Sequence, residues 1–171
     1  MLSFKYICKT KIGKMKINLI CIGKTDAKEI QSLINYYLPR LPKHWNFEMM
    51  EIPDLKNAGK LTPELIKKEE GKLFLSHIDS LDYNILLDEK GKLYTSREFS
   101  AKLDNYMNSS VKKINLLIGG AYGFSEEIYQ KAHEKISVSK MTFTHQMIRL
   151  FIIEQIYRAS QILAGKPYHN D

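Results

Sequence analysis

The chain has 171 residues, 44% of them hydrophobic and 26% charged, with nine glycines and five prolines. That length suits one domain, which buries roughly two thirds of its unfolded surface without needing a disulfide or metal staple, and the composition excludes a disordered or fibrous protein. A net charge of +7 permits an anionic partner without establishing one.

The charge is unevenly spread. Residues 1–14 carry Lys5, Lys9, Lys11 and Lys14 and no acid. The segment has no apolar core run or small-residue cleavage site, so it is a poor signal peptide, and it lacks the Arg/Ser bias of a transit peptide. It is expected to be an upstream extension or a misassigned start, disordered ahead of a single domain at 15–171; the alternative is a basic arm that touches nucleic acid. No apolar stretch reaches the length of a membrane span.

From Met15 the pattern alternates. Lys16–Ile22 is short, apolar and β-branched, and predicts a strand. Asp26 is expected to cap a helix over Ala27–Leu38, ended by Pro39 and Pro42. Asn46–Ile52 predicts a second strand. Thr62 caps a helix from Pro63 to Ile78, with proline at the favourable first position; its Lys67-Lys-Glu-Glu70 run is expected to be a solvated face. Tyr83–Asp88 predicts a third strand before a turn at Gly91. Thr95 and Glu98 form a capping box for a helix to Met107. Ile114–Ile118 predicts a fourth strand, closed by Gly119-Gly-Ala-Tyr-Gly123. Ser125 caps a short helix to Glu134, Ile136–Ser139 predicts a fifth strand, and a long helix runs from His145 to Ala164. The alternation argues for an α/β fold with a mostly parallel sheet and helices on both faces.

The last helix is apolar around nearly its whole circumference, and one sheet covers one side. A second subunit is the expected cover, which predicts a homodimer. Two cysteines, Cys8 and Cys21, make no disulfide framework, and no residue cluster has zinc spacing, so no metal is expected.

Three segments can carry chemistry. The glycine loop after the fourth strand lies where open α/β sheets bind ligands, but GGxxG is not a dinucleotide or P-loop motif, and an ordinary turn is the competing reading. Tyr122 and Phe124 either form an aromatic wall or simply pack. Ser139–His145 adjoins a helix N-terminus, where free N–H groups attract anions. His145 and Arg149 share a helical face; His can accept a proton near neutrality and Arg can hold a phosphate, with a cap or an intersubunit bond as the plainer alternative. The tail Pro167-Tyr-His-Asn-Asp171 either frays or is drawn into a site.

Taken together and in order, Met15–Lys24, Ile118–Phe124, Ser139–Phe143, His145-Gln-Met-Ile-Arg149, Glu154–Ala159 and Tyr168-His169 resemble the ribosomal RNA large subunit methyltransferase H family of SPOUT-class knotted methyltransferases. The resemblance covers nearly all of 15–171. It implies a C-terminal deep trefoil knot, a homodimer, S-adenosylmethionine as donor, and methylation of N3 of a pseudouridine in helix 69 of 23S ribosomal RNA in the assembled ribosome, in the cytoplasm. The implied donor pocket comprises Leu87, Gly119, Gly120, Val138, Ser139, Lys140, Met141, Thr142 and Phe143. On the acceptor side, His145 or His169 is expected to take or relay the N3 proton and Arg149 to steady the base or a phosphate. Arg149, Tyr168 and His169 are the expected RNA contacts.

Two departures from the family pattern stand out. Thr144 replaces the usual proline before the motif histidine and can cap the helix. Asn170-Asp171 replaces the usual basic residue after Tyr-His, which removes an RNA contact. The alternatives are a non-catalytic ribosome- or RNA-binding homologue, a knotted methyltransferase acting on another RNA, and a small-molecule-binding α/β dimer.

Overall fold

The structure, a computed structural model, describes residues 15–168. The expectations for residues 1–14 and for His169, Asn170 and Asp171 lie outside the described residues.

Five strands form one sheet: β1 (Lys16–Ile22), β2 (Phe47–Ile52), β3 (Tyr83–Leu93), β4 (Lys113–Ile118) and β5 (Glu134–Ser137). Every named pairing is parallel, in the order β2-β1-β4-β3-β5. Five α-helices connect and flank them: α1 (Lys28–Tyr37), α2 (Pro63–Leu75), α3 (Ser96–Met107), α4 (Glu126–Lys131) and α5 (His145–Leu163). Because side chains alternate across a strand, the apolar strands supply two cores. Ile17, Leu19, Ile85 and Leu116 face α1, α3 and α5. Ile20, Ile22, Leu86 and Leu117 face α2 and α4 through Phe74, Phe124 and Ile128.

Local chemistry explains most boundaries. Thr62 accepts the Leu65 N–H at 3.3 Å. The capping box is complete, with Thr95 N–H donating to Glu98 at 2.7 Å and Glu98 N–H to the Thr95 hydroxyl at 3.2 Å. Thr144 caps α5 by accepting the Met147 N–H at 3.4 Å.

Three expectations are corrected. Asp26 does not cap α1: Ala27 is the N-cap, with no side-chain bond, and the Asp26 carboxylate accepts from the Gln146 amide instead. The third strand does not end at Asp88. It leaves β5 after Leu87, makes an excursion over Asp88–Gly91, and rejoins at Lys92, so that Leu87 and Lys92 both partner Ile136. The run Lys67–Glu70 is not uniformly solvated; Glu70 is buried.

The long helix α5 packs between α1 and α3. Leu150, Ile152, Ile153 and Ile156 are buried within this one chain, so neighbouring helices cover more of α5 than the sheet alone would. No helix among the described residues is long and apolar enough to cross a membrane.

Candidate active site

In a parallel sheet all carboxyl ends emerge on one side, and the connections leaving them build the ligand site. Here those ends enclose a cleft of about 790 Å³, within the range of small-molecule and cofactor sites. Leu87 closes it from β3, and Gly119 and Gly120 from β4. Val138, Ser139, Met141, Thr142 and Phe143 wall it along the β5–α5 connection, and His145 stands at its helical end.

The glycine turn is shaped by its lack of side chains. Gly120 accepts the Gly123 N–H at 3.1 Å, and Gly123 has φ +79°, a conformation that other residues adopt at a cost. A Cβ on Gly119 would stand 3.1 Å from the Gly123 carbonyl oxygen. One on Gly120 would run into the carboxyl group of Glu70, which sits behind the turn on α2.

The opposite wall is held by its own short bonds. The Ser137 hydroxyl donates to the Ser139 carbonyl at 2.7 Å, and Met141 N–H donates to the Ser139 hydroxyl at 2.9 Å. Phe143 meets Phe151 edge-on, with centroids 4.9 Å apart.

Leu87, Gly119, Gly120, Val138, Ser139, Met141, Thr142 and Phe143 thus gather on one cleft; the exposed Lys140 does not line it. Tyr122 and Phe124 both line the cleft, Tyr122 exposed and Phe124 buried. His145 is exposed at the rim.

Arg149 is not brought to the cleft, and this corrects its expected role at a base or phosphate. It is fully enclosed. It donates to the Ile22 carbonyl at 2.6 Å and the Thr25 hydroxyl at 2.8 Å, and lies 3.4 Å from the Glu51 carboxylate. It ties α5 to the end of β1. Tyr168 folds back onto α5, edge-on to Tyr157 at 4.9 Å, with its hydroxyl 3.3 Å from Glu154 and the Arg158 guanidinium 5.0 Å from its ring.

Sequence reasoning missed part of the lining. Ala27, Ile30, Gln146 and Ile148 form the wall beneath α1 and α5; Gln146 accepts the Ala27 N–H at 3.1 Å, a contact across 119 positions with no local signature. The excursion Asp88–Lys90 also faces the cleft. Asp88 accepts from the Tyr129 hydroxyl at 2.5 Å and the Lys90 N–H at 2.8 Å. Burial and the Asp88 carboxylate push the Tyr129 phenol up to about 12. Gly91, read from sequence as a turn, was the available signal.

The cleft fits S-adenosylmethionine on its own features: room for a nucleoside-sized ligand, and apolar side chains at Leu87 and Val138.

A parallel α/β sheet with such a cleft at its strand ends matches the class that the family comparison finds: the family model described as "Predicted SPOUT methyltransferase" matches residues 15–169. Three relatives carry the description "Ribosomal RNA large subunit methyltransferase H". The one from Parabacteroides distasonis is 52% identical, covering 92% of this chain and 100% of the relative. Those from Flavobacterium johnsoniae and Christiangramia forsetii are 51% and 50% identical, each covering 91% of this chain and 99% of the relative. The chain belongs to the ribosomal RNA large subunit methyltransferase H family.

Proposed function

We propose that the chain methylates N3 of a pseudouridine in helix 69 of 23S ribosomal RNA, with S-adenosylmethionine as donor, acting in the cytoplasm as a homodimer on the assembled ribosome. The observation that carries this reading is the convergence of the expected donor residues, all but Lys140, on one cleft in a chain about half identical to its relatives.

When bound, S-adenosylmethionine supplies a methyl group on a positively charged sulfur. The protein's part is to bind, orient and move a proton. The Gly119–Gly120 backbone and the Val138–Phe143 segment hold the donor, and its fixed position against the acceptor nitrogen contributes through proximity. The N3 proton must leave, and His145 at the cleft rim accepts or relays it; His169 is the second candidate for that task. Tyr168 stacks on an RNA base, leaving its place on Tyr157 to do so.

The deep trefoil knot belongs to the same proposal. Its support is topological: β5 lies at the β3 edge of the sheet, yet α5 returns to α1 beside β1. For the homodimer, α1 leaves Leu33 and Tyr36 exposed and α5 leaves Leu163 exposed, an apolar surface that a second copy would cover.

The decisive experiment is transfer of labelled methyl groups to assembled ribosomes, followed by mass mapping of the modified base. Label on the helix 69 pseudouridine is expected. Donor binding without transfer would leave the RNA-binding homologue, and label on another RNA would replace the substrate. In single-turnover assays at saturating donor, His145→Ala and His169→Ala separate the two proton acceptors; an unchanged rate removes that histidine from the mechanism.

A further inference from the structure

Glu70 is a buried acid that the proposed mechanism does not use. It lies on α2, 7% exposed, outside the cleft lining but directly behind it. Its carboxylate is seated against Gly120, and the absence of a Cβ on Gly120 is what lets it come so close. The next residue, Gly71, abuts the Ser125 side chain in the same manner. Ser125 is the N-cap of α4. One turn of α2 therefore braces both ends of the glycine loop, Gly120 on one side and Ser125 on the other.

The energetics argue that this acid does not serve stability. Its Oε2 is buried without a hydrogen-bond partner. Burial raises its pKa; the Gly120 N–H works against that shift and the like charge of Asp54 adds to it. The helix face beside it contributes Phe74 and Ile66 to the buried core, so an apolar side chain would suit the position. A buried ionisable group with an unfilled oxygen is a cost, and replacing such groups by apolar ones is often neutral or stabilising. A cost kept next to a ligand cleft points to a use there.

We infer that Glu70 is a positioning residue for the donor: its carboxylate, seated against the bare Cα of Gly120, holds the glycine turn in the shape that admits S-adenosylmethionine. The inference rests on the donor reading of the cleft. It requires no contact between Glu70 and the donor.

The test compares Glu70→Leu and Glu70→Gln with the unmodified full-length protein. Calorimetric titration with S-adenosylmethionine and with S-adenosylhomocysteine gives affinities, and thermal unfolding without ligand gives stability. Glu70→Leu is expected to keep or raise the unfolding temperature while weakening both ligands tenfold or more. Glu70→Gln keeps a planar group of the same shape against Gly120 and is expected to stay within threefold. In turnover assays, Glu70→Leu should raise the donor KM and leave kcat at saturating donor unchanged. Equal affinity in Glu70→Leu and the unmodified protein overturns the inference, as does a loss of affinity and stability together that Glu70→Gln does not restore. Should Glu70→Leu not fold, Glu70→Ala takes its place in the same titrations, where weakened binding supports the inference and equal affinity overturns it. Unmodified protein that binds neither ligand overturns the donor reading itself.

Discussion

Arg149 shows how a residue type can point to the wrong chemistry. Its spacing from His145 places both on one helical face, but the guanidinium turns inward to the Ile22 carbonyl, Thr25 and Glu51. Arg149→Ala should cost about 3 kcal/mol, because it strips a buried carbonyl and a carboxylate of a charged donor; urea unfolding would measure it. Arg149→Lys should recover little, since an ammonium cannot reproduce the planar fork. Cys21, nearby, is enclosed by the sheet, and its thiol is pushed up to about 12, chiefly by burial, with Arg149 opposing and Glu51 adding. At pH 8 it is therefore protonated and unreactive. Native alkylation followed by peptide mapping should leave Cys21 unlabelled, and denaturant should expose it.

At the scale of elements, two polar clusters fix how the pieces meet. Asn18, Asn115 and Asn84 stand in register on three neighbouring strands. Asn18 donates to Asn115 at 3.0 Å, and Asn115 donates to Asn84 and Asp82, each at 2.9 Å. A one-residue slip would bury these amides against apolar side chains, so the ladder specifies register. Asn115→Leu should cost about 3 kcal/mol by leaving several buried groups unpaired, measurable as a lower urea midpoint.

The second cluster joins α3 to β5. Glu134 accepts from the Tyr94 and Tyr106 hydroxyls at 2.6 and 2.7 Å and pairs with Lys102 at 2.8 Å. Burial raises the Glu134 pKa, but Lys102 and the two tyrosines outweigh it and hold the carboxyl below its ordinary value. A depressed carboxylate stabilises the fold above its unfolded pKa and stops doing so as pH falls through the folded one. Unfolding temperature should therefore decline as pH drops below about 4.5, and Glu134→Gln should lower it at pH 7 while flattening that decline.

These elements also mark what the sequence made legible. Caps and strands written in consecutive residues were readable: Thr62, the Thr95–Glu98 box, and Lys16–Ile22. Asp26 misled because its partner, Gln146, is 120 positions away. Glu70 misled because charge within a helix predicts solvent, while its burial depends on a glycine in another element. In the site, the motif residues were legible through the resemblance; the α1 wall and Arg149's inward turn follow from tertiary packing that no local pattern encodes.

For the whole molecule, ligand and assembly are the measurable quantities. If the cleft holds the donor, S-adenosylmethionine at 100 times its dissociation constant should stabilise the fold by about 2.7 kcal/mol, an increase in unfolding temperature on the order of 5–10 °C. Sedimentation equilibrium should give twice the chain mass. Changing the exposed Leu33 and Tyr36 to Lys should shift that equilibrium toward the single chain without unfolding it, if these residues face the second copy.

The detour in β3 has a consequence for how such proteins diversify. Since Leu87 and Lys92 flank it on the same partner residue, Ile136, the sheet on either side is indifferent to how many residues lie between them. That part of the rim can gain or lose length while every interior side chain keeps its neighbours. Gly91 is the exception, because a methyl group there would meet the Ile136 backbone at 2.5 Å. Gly91 is thus a position of the detour that the neighbouring strand itself keeps small.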